Sequence, residues 1–292
     1  MVRSIFAAGC ELRDYSLFIV LLGKFHAKNN ILDSRTFLLV TRYSLLMNTL
    51  IFDIETVPLP FDTSFDSAQQ EYLLRGTTTE EERELRKGWG ALNPLTGKVV
   101  CIGTLVHETK KGSALYLDGE ASEEIVEHEG HTFGYRAFTD EAALLQHFWN
   151  GLEGKYNAVV TFNGRSFDCP FLMLRSAVLG IRPSVNMMAG TKWEFKIGGS
   201  SNDRYGGIEH IDLLDKLCFN LGFDKTGPTR KFNLDFYTKS FGIASPKSAT
   251  IAGDKVPLFF AEGRSREIAE YCMRDVRATG ELYEKWRSLL RF

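Results

Sequence analysis

Apolar residues recur at strand or helix spacing along most of the chain after residue 47. Short runs of apolar and β-branched residues predict buried strands at 50–57, 99–106, 114–117, 158–162 and 208–214. Helical spacing with capping signals predicts helices at 68–87, 139–152, 170–180, 232–241 and 265–289. The first three strands follow one another directly, which favours antiparallel pairing, and later strands alternate with helices. This order is typical of an α/β fold with a mixed sheet.

The first predicted strand carries two acidic residues inside its apolar run. Asp53 and Glu55 are two positions apart, so both side chains point to the same face of the strand. Neighbouring carboxylates repel each other and lose hydration when buried, and a divalent cation is the usual compensation. Oxygen ligands favour Mg²⁺ or Mn²⁺. For this Asp-x-Glu pair alone, a half-exposed strand whose acids face water is the stronger interpretation.

Composition limits the class of protein and its possible partners but does not indicate a function. The chain has 292 residues, of which 44% are hydrophobic and 25% charged, as in ordinary soluble domains. Because the net charge is −2, nucleic acid would have to bind a local basic patch. The cysteines form no Cys-x-x-Cys pair, which argues against zinc and against a disulfide framework. We expect buried free thiols in a cytoplasmic, reducing environment; the five are Cys10, Cys101, Cys169, Cys218 and Cys272.

Residues 1–46 differ from the rest of the chain. Their apolar run at 15–23 is too short to span a bilayer, and Glu11 and Asp14 before it do not suit a secretory signal. Met47 stands just ahead of the strand that carries Asp53. Our hypothesis is that residues 1–46 are an extension outside the domain, from an over-called translation start, and that residues 47–292 form the domain.

Two further motifs carry acidic residues. The strand at 158–162 leads into Asn163-Gly164, a turn signal, and then to Asp168 at the start of a helix. Taken alone, Asp168 would be a helix cap. On the last predicted helix, Tyr271 and Asp275 are four positions apart and share a face. Taken alone, this pair would be a half-buried tyrosine beside a surface acid.

The three motifs in this order resemble the DEDD superfamily of 3′→5′ exonucleases, in the subgroup whose third motif carries Tyr. The middle motif, FNGRSFDCPFL at 162–172, is most similar to the proofreading exonuclease domain of family-B DNA polymerases. The resemblance covers about 48–290. It implies a ribonuclease H-like α/β fold, in which helices flank a five-stranded mixed sheet that begins with three antiparallel strands.

The resemblance also implies the site. Asp53, Glu55, Asp168 and Asp275 would surround two Mg²⁺ or Mn²⁺ ions, which activate water and stabilise the leaving 3′ oxygen. Asp53 would bridge the ions, Glu55 and Asp275 would complete the position that activates water, and Asp168 would hold the second ion, partly through water. Tyr271 would orient the attacking water, since its ordinary pKa makes it a poor base.

Other residues are candidates for substrate contacts. Thr56, Asn163 and Phe167 would grip the terminal nucleotide, although Phe167 also suits the core. His210 and Asp212 are better interpreted as a core histidine and a helix cap. A single strand could follow a basic path with a stacking aromatic, although solvated surface charge explains each cation equally well. The path would use Arg165, Arg175, Lys192, Lys196 and Arg204, with Trp193 or Phe195 for stacking.

The expected function is therefore a metal-dependent 3′→5′ exonuclease acting on single-stranded nucleic acid, with DNA favoured over RNA. Because the chain ends at Phe292, soon after the third motif, we expect no attached polymerase domain. Proofreading in trans, DNA repair and RNA turnover all fit, and no membrane partner or nucleotide cofactor is expected. Two alternatives remain: an inert nucleic-acid-binding protein on the same scaffold, and a haloacid-dehalogenase-like phosphatase with Asp53 as nucleophile.

Overall fold

The computed structural model describes residues 48–188, 208–221, 226–244 and 253–291. The hypothesis about residues 1–46 lies outside these ranges. The strands in the described ranges are β1 Thr49–Pro58, β2 Gly97–Val106, β3 Lys111–Leu117, β4 Glu123–His128, β5 His131–Phe138, β6 Ala158–Thr161 and β7 Glu209–Asp212. The α-helices there are α1 Phe61–Ser64, α2 Ser67–Leu73, α3 Glu80–Gly88, α4 Glu141–Leu152, α5 Asp168–Val178, α6 Leu213–Leu217, α7 Leu234–Ser240, α8 Val256–Ala261 and α9 Ser265–Leu289.

The strands form one mixed sheet in the order β4-β5-β3-β2-β1-β6-β7. Strand β1 pairs antiparallel with β2, and β2 pairs antiparallel with β3. On its other side β1 pairs in parallel with β6, which pairs in parallel with β7. The expected α/β, ribonuclease H-like arrangement is confirmed: three antiparallel strands come first, and parallel strands joined through helices follow. The acidic strand β1 lies inside the sheet, with neighbours on both sides.

The sheet has seven strands where five were expected. The additional pair, β4 and β5, forms a hairpin whose turn has left-handed residues at Glu129 and Gly130. Strand β5 then pairs in parallel with β3 and extends the sheet at that edge. Inward-facing Phe133, Tyr135 and Ala137 alternate with less buried neighbours along β5. Because β4 is largely exposed, it supplies little of the apolar pattern that marks a strand.

Helices cover both faces of the sheet. On one face α9 packs against β1, β2 and β3. A Cβ on Gly103 of β2 would lie 2.8 Å from Cys272 Sγ, so the helix approaches the backbone of β2 closely. On the other face α4 contributes the predicted apolar residues, all of them buried, and the Phe148 ring lies 5.8 Å from that of Phe52. Phe52 is next to Asp53 on β1, so its side chain points to the face opposite the acid.

The segment between β1 and β2 contains the predicted helix. Thr79 caps α3 through a bond from Glu82 N to its Oγ1 (3.2 Å), and Glu82 reciprocates as in a capping box. None of the residues of α1, α2 or α3 is buried. A 3₁₀ turn at Trp89–Leu92 ties the segment to β1, because Ala91 O accepts a hydrogen bond from Thr56 Oγ1 (2.7 Å).

No helix in the described ranges is both long and apolar enough to cross a bilayer. The cysteines of these ranges, Cys101, Cys169, Cys218 and Cys272, are free and buried.

Candidate active site

Strand β1 places its two acids against α9. Asp53 and Glu55 are aligned with Gly103 and Cys101 of β2, on the face that α9 covers. A carboxylate oxygen from each acid and Cys272 Sγ all lie within 4.8 Å of one another. The shared face predicted from the spacing is therefore present, and the alternative of two acids facing open water is wrong for this strand.

Asp168 connects α5 to β1. Its Oδ1 accepts a hydrogen bond from Ile54 N (3.1 Å), and no side chain caps the start of α5. The helix-cap interpretation of Asp168 is therefore wrong, because its carboxylate accepts from the β1 residue that lies between Asp53 and Glu55. The residue is 3% exposed. Burial raises its pKa to about 7, against the lowering effect of backbone hydrogen bonds.

Helix α9 brings Tyr271 and Asp275 to the same place. The Tyr271 hydroxyl donates to Asp275, and the ring is only 8% exposed. Burial raises the pKa of Tyr271 well above its usual value, and the negative charges of Asp275, Glu55 and Asp53 raise it further. The hydroxyl therefore keeps its proton at neutral pH. Asp275 is partly buried rather than a surface residue.

The acids from the three elements act on one another. Burial raises the pKa of Asp53 well above its usual range, and the charges of Asp168, Glu55 and Asp275 raise it further. Burial also raises the pKa of Glu55, with Asp275 and Asp168 adding to the effect. Burial and the neighbouring charges all raise the pKa values of these two acids. Four carboxylates in such a place can be ionised together only if positive charge compensates them.

Cys272 is a member of this cluster that the sequence analysis did not select. Its thiol donates to Asp53 O (3.5 Å) and lies 3.9 Å from Asp53 Oδ2. Burial raises the pKa of this thiol well above its usual value, so it is a neutral hydrogen-bond donor here. Its position was a usable signal, because residue 272 lies three before Asp275 and faces the same side of the helix.

The turn after β6 is shaped by Asp212. Its carboxylate accepts from Asn163 N (3.0 Å), from Arg165 N (2.9 Å) and from Leu214 N (3.0 Å). Asp212 therefore caps α6, as predicted, and also fixes the turn that precedes α5. Asn163 adopts a left-handed conformation with φ of 67°. A Cβ on Gly164 would lie 2.3 Å from Thr161 Oγ1, so this turn requires glycine.

The three residues proposed to grip a nucleotide lie around the acids in different settings. Thr56 directly follows Glu55 but donates its hydroxyl proton to Ala91 O. Phe167 is partly buried and packs on the core, with its ring 5.6 Å from that of Phe171. Asn163 lies in the turn after β6 and is partly buried. A contact with the terminal nucleotide stays a prediction for each of them.

His210 is the core histidine that was expected. It lies 2.8 Å from Thr161 Oγ1 and 3.2 Å from Met187 O, and burial lowers its pKa to about 4.

Arg175 differs from both interpretations offered for it. It is buried and forms a bidentate ion pair with Glu141. It is therefore neither a cation that binds a nucleic acid strand nor a solvated surface charge. Lys192, Trp193, Phe195, Lys196 and Arg204 lie outside the described residues.

Comparison with known proteins decides the family. Residues 119–290 match the model of a family described as a predicted 3′-5′ exonuclease related to the exonuclease domain of PolB. The chain belongs to this exonuclease family. The matched range contains Asp168, Tyr271 and Asp275, and β1 precedes it.

Similar proteins include archaeal DNA polymerases. DNA polymerase 1 of Saccharolobus solfataricus is 29% identical over 150 residues, which is 50% of this chain and 15% of the polymerase. A DNA polymerase of Pyrococcus horikoshii is 27% identical over 202 residues, 64% of this chain and 15% of that protein. The family B DNA polymerase structure from Pyrobaculum calidifontis aligns with a TM-score of 0.44 and 20% identity, covering 82% of this chain and 24% of the polymerase. The exonuclease-like chain thus matches about a seventh of each of the two archaeal polymerase sequences.

Proposed function

We propose that this protein is a metal-dependent 3′→5′ exonuclease that hydrolyses phosphodiester bonds from the 3′ end of single-stranded nucleic acid. The observation that carries the proposal is the gathering of Asp53, Glu55, Asp168 and Asp275 from β1, α5 and α9. Burial and the neighbouring acids raise the pKa values of Asp53 and Glu55 well above their usual range, and burial raises that of Asp168. Family membership adds the reaction class.

The residues present fit a pair of hard divalent cations. The four candidate ligands are all carboxylates, which suits Mg²⁺ or Mn²⁺ better than softer metals, and the neutral Cys272 thiol is a weak competitor. Asp53, Glu55, Asp168 and Asp275 would hold the ions. Once bound, such ions supply a water nucleophile at neutral pH and charge stabilisation for the leaving 3′ oxygen.

The chain's own residues position the reaction. Tyr271 stays protonated, so its hydroxyl serves to orient the attacking water rather than to take its proton. Ile54 N holds Asp168 Oδ1 and so fixes this carboxylate against β1. The rigid turn at Asn163, fixed by Asp212, would present Asn163 to the terminal nucleotide, with Thr56 and Phe167 beside it.

We favour DNA over RNA as the substrate because the similar sequences are those of DNA polymerases. Residues 47–292 would form the exonuclease domain, acting in the cytoplasm in proofreading in trans, in DNA repair or in RNA turnover. We propose neither a membrane partner nor a nucleotide cofactor.

The decisive experiment follows 5′-labelled and 3′-labelled single-stranded DNA and RNA with Mg²⁺, Mn²⁺ or EDTA. The 5′-labelled strand should give a ladder that shortens from its 3′ end with either metal, while the 3′ label is released as a mononucleotide. EDTA should stop both. Asp53→Asn should abolish cleavage while circular dichroism shows an intact fold. Asp118→Asn, in the loop after β3, removes one negative charge outside the acidic cluster and should cleave normally.

The alternatives predict other results. An inert scaffold would bind the strands without cutting them under any metal condition. A phosphatase of the haloacid dehalogenase type would form a phosphoenzyme that a phosphate mimic traps. Undiminished cleavage by Asp53→Asn would refute the role proposed for this residue.

A further inference from the structure

The segment between β1 and β2 forms a groove of about 630 Å³. Its lining includes three cations and, among the described residues, no acidic side chain. The cations are Arg75 after α2, and Arg86 and Lys87 on α3. Lys87 Nζ is paired with Glu84 Oε1 (2.6 Å), so Arg75 and Arg86 are the lining cations that remain for an anion. A groove of this kind complements an anion.

Aromatic rings alternate with the cations. Tyr72 is 69% exposed and Trp89 is 50% exposed, although residues of this type usually bury most of their surface. The Arg75 guanidinium lies 5.4 Å from the centre of the Tyr72 ring, and that of Arg86 lies 5.0 Å from the Trp89 ring. Lys87 Nζ lies 5.3 Å from the Phe61 ring in the same way. Each exposed ring is thus paired with a positive charge.

This pairing matches the repeat of a single-stranded nucleic acid. A base stacks on an aromatic face whatever its sequence, and a backbone phosphate binds a nearby cation. An acidic peptide would satisfy the cations but would leave the exposed rings without flat partners. The combination therefore favours a single strand over an acidic peptide.

The groove is continuous with the strand that carries the acids. Leu59, just after β1, lines it and donates its N–H to Thr96 O (2.8 Å). Thr56, next to Glu55, holds the 3₁₀ turn that contains Trp89 through its bond to Ala91 O. A Cβ on Gly90 would lie 3.2 Å from Pro58 Cβ, so this turn is closely packed on β1. Leu59 lies six positions after Asp53, which is roughly 20 Å of extended chain.

We propose that this groove binds the unpaired strand on the 5′ side of the terminal nucleotide, and so selects single-stranded over duplex substrates. The inference rests on the proposed function, because it takes the acids as the place where the 3′ end is cut. Trp89 and Tyr72 would stack on bases, and Arg75 and Arg86 would bind phosphates. None of these side chains touches the acidic cluster, so they set affinity and not chemistry.

Binding is measured first, without cleavage. The probe is a fluorescein-labelled 20-nucleotide oligo(dT) titrated with full-length Asp53→Asn protein in EDTA. Adding Trp89→Ala should weaken binding at least ten-fold, while Trp89→Phe, which keeps a ring, should bind nearly normally. Replacing both Arg75 and Arg86 by Gln should lower the salt dependence of the binding constant by about 1 to 1.5 in slope. The control Arg287→Gln, near the end of α9, removes one charge outside the groove and should change nothing.

Cleavage then separates this inference from the proposed function. In otherwise unaltered protein with Mg²⁺, Trp89→Ala should raise KM for the 20-mer and leave hydrolysis of a dinucleotide unchanged, because a dinucleotide is too short to reach the groove. Groove variants that bind and cut the 20-mer like the original protein would overturn the inference, even if the protein is an exonuclease. Reduced binding in the groove variants, with no cleavage by any protein, would keep the groove and refute the exonuclease.

Discussion

Asp168 shows how one residue can report the state of the whole acidic cluster. Burial raises its pKa from the ordinary 3.8 to about 7 in the folded protein. A carboxyl whose pKa is raised by folding binds its proton more tightly in the native state than in the unfolded one. Its contribution to stability is therefore complete below about pH 3.8 and is lost as the pH rises through about 7. The cluster should accordingly destabilise the metal-free fold at alkaline pH.

We expect Asp168→Asn to remove this pH dependence. The amide has nearly the same shape, and its oxygen can still accept from Ile54 N. In EDTA, the free energy of unfolding of the variant should increase relative to the original protein between pH 5 and pH 8. At about 1.4 kcal/mol per pKa unit, the full shift corresponds to on the order of 4 kcal/mol, of which roughly 3 kcal/mol falls between pH 5 and pH 8. Urea unfolding at four pH values measures the difference.

Divalent cations give the control for this prediction. Adding Mg²⁺ at pH 8 should stabilise the original protein by compensating its ionised acids, and should stabilise Asp168→Asn less. His210 is present in both proteins, but Asp53 and Glu55 lose a repelling charge in the variant, so the difference measures Asp168 together with its coupling to these two acids. A difference in stability that stays constant from pH 5 to pH 8 would show that Asp168 titrates normally.

At the scale of residues, sequence spacing predicted correctly which side chains share a face of a strand or a helix. The two-residue spacing of Asp53 and Glu55 and the four-residue spacing of Tyr271 and Asp275 give the orientations found in the structure. Spacing does not determine hydrogen-bond partners that are remote in sequence. It therefore did not show that Asp168 accepts from Ile54 N, or that Arg175 is buried against Glu141.

At the scale of elements, the contact between α9 and β2 sets the geometry of the site. Gly103 faces the helix, and an added Cβ would lie 2.8 Å from Cys272 Sγ and 2.9 Å from Val276 Cγ2. Both atoms belong to the helix that carries Tyr271 and Asp275. A small change in the strand would therefore move two candidate catalytic residues together.

Gly103→Ala should push α9 away from the sheet. We expect a loss of about 1–3 kcal/mol in the free energy of unfolding, as for other overpacked cores. Since both Tyr271 and Asp275 would shift from the acids of β1, the rate of cleavage should fall as well. Thermal unfolding and the 3′-end assay measure the two effects in the same preparation.

Gly151→Ala is the matched control for this change. Gly151 lies in α4, its φ is not positive, and a Cβ there would meet nothing within 4 Å. Alanine also suits a helix better than glycine, so stability should be unchanged or rise by up to about 1 kcal/mol. Equal losses from the two substitutions would show that α9 does not pack as tightly as the structure indicates.

The elements differ in how clearly their sequence patterns predicted them. Helix α9 runs from Ser265 to Leu289, as predicted, because its apolar face is long and regular. The hairpin of β4 and β5 was missed, although Phe133, Tyr135 and Ala137 alternate in β5. Its partner strand is mostly exposed, and an exposed edge strand leaves a weak apolar pattern.

At the scale of the whole molecule, one buried ion pair joins several elements. Glu141 of α4 binds Arg175 of α5 through both carboxylate oxygens, with the shortest contact at 2.8 Å. Glu141 also accepts from Val99 N of β2 (2.7 Å), and Arg175 donates to Pro94 O (3.5 Å). The side chains are 8% and 9% exposed. This pair thus connects two helices, a central strand and the turn that ends the groove segment.

The order of the motifs predicted the overall arrangement of the elements. It did not predict which remote side chains pair where these elements meet. The family resemblance implied that acids far apart in sequence meet on the sheet, and the structure brings those acids together. Local patterns cannot show which remote charges pair inside the fold. Arg175 therefore looked like any exposed cation, and the groove beside Trp89 looked like an ordinary polar insertion.

Breaking this ion pair from one side should be costly. Glu141→Ala leaves the Arg175 charge buried without its partner and removes the acceptor for Val99 N, so we expect a loss of about 3–5 kcal/mol in the free energy of unfolding. Replacing both residues together, as Glu141→Leu with Arg175→Met, removes the uncompensated charge and should recover the part of the loss due to it, although Val99 N still lacks its acceptor. Urea unfolding followed by circular dichroism measures all three proteins.

The exposed pair of Arg264, just before α9, and Glu267, in its first turn, supplies the comparison. It has an equally short contact of 2.7 Å, but its side chains are 38% and 44% exposed. Glu267→Ala should therefore cost much less than Glu141→Ala, because water replaces the lost partner. If Glu141→Ala and Glu267→Ala cost the same, burial does not determine the effect and the joint between α4, α5 and β2 is looser than described. If only Glu141→Ala is costly and the double replacement recovers, the pair specifies how these elements meet without being needed for stability.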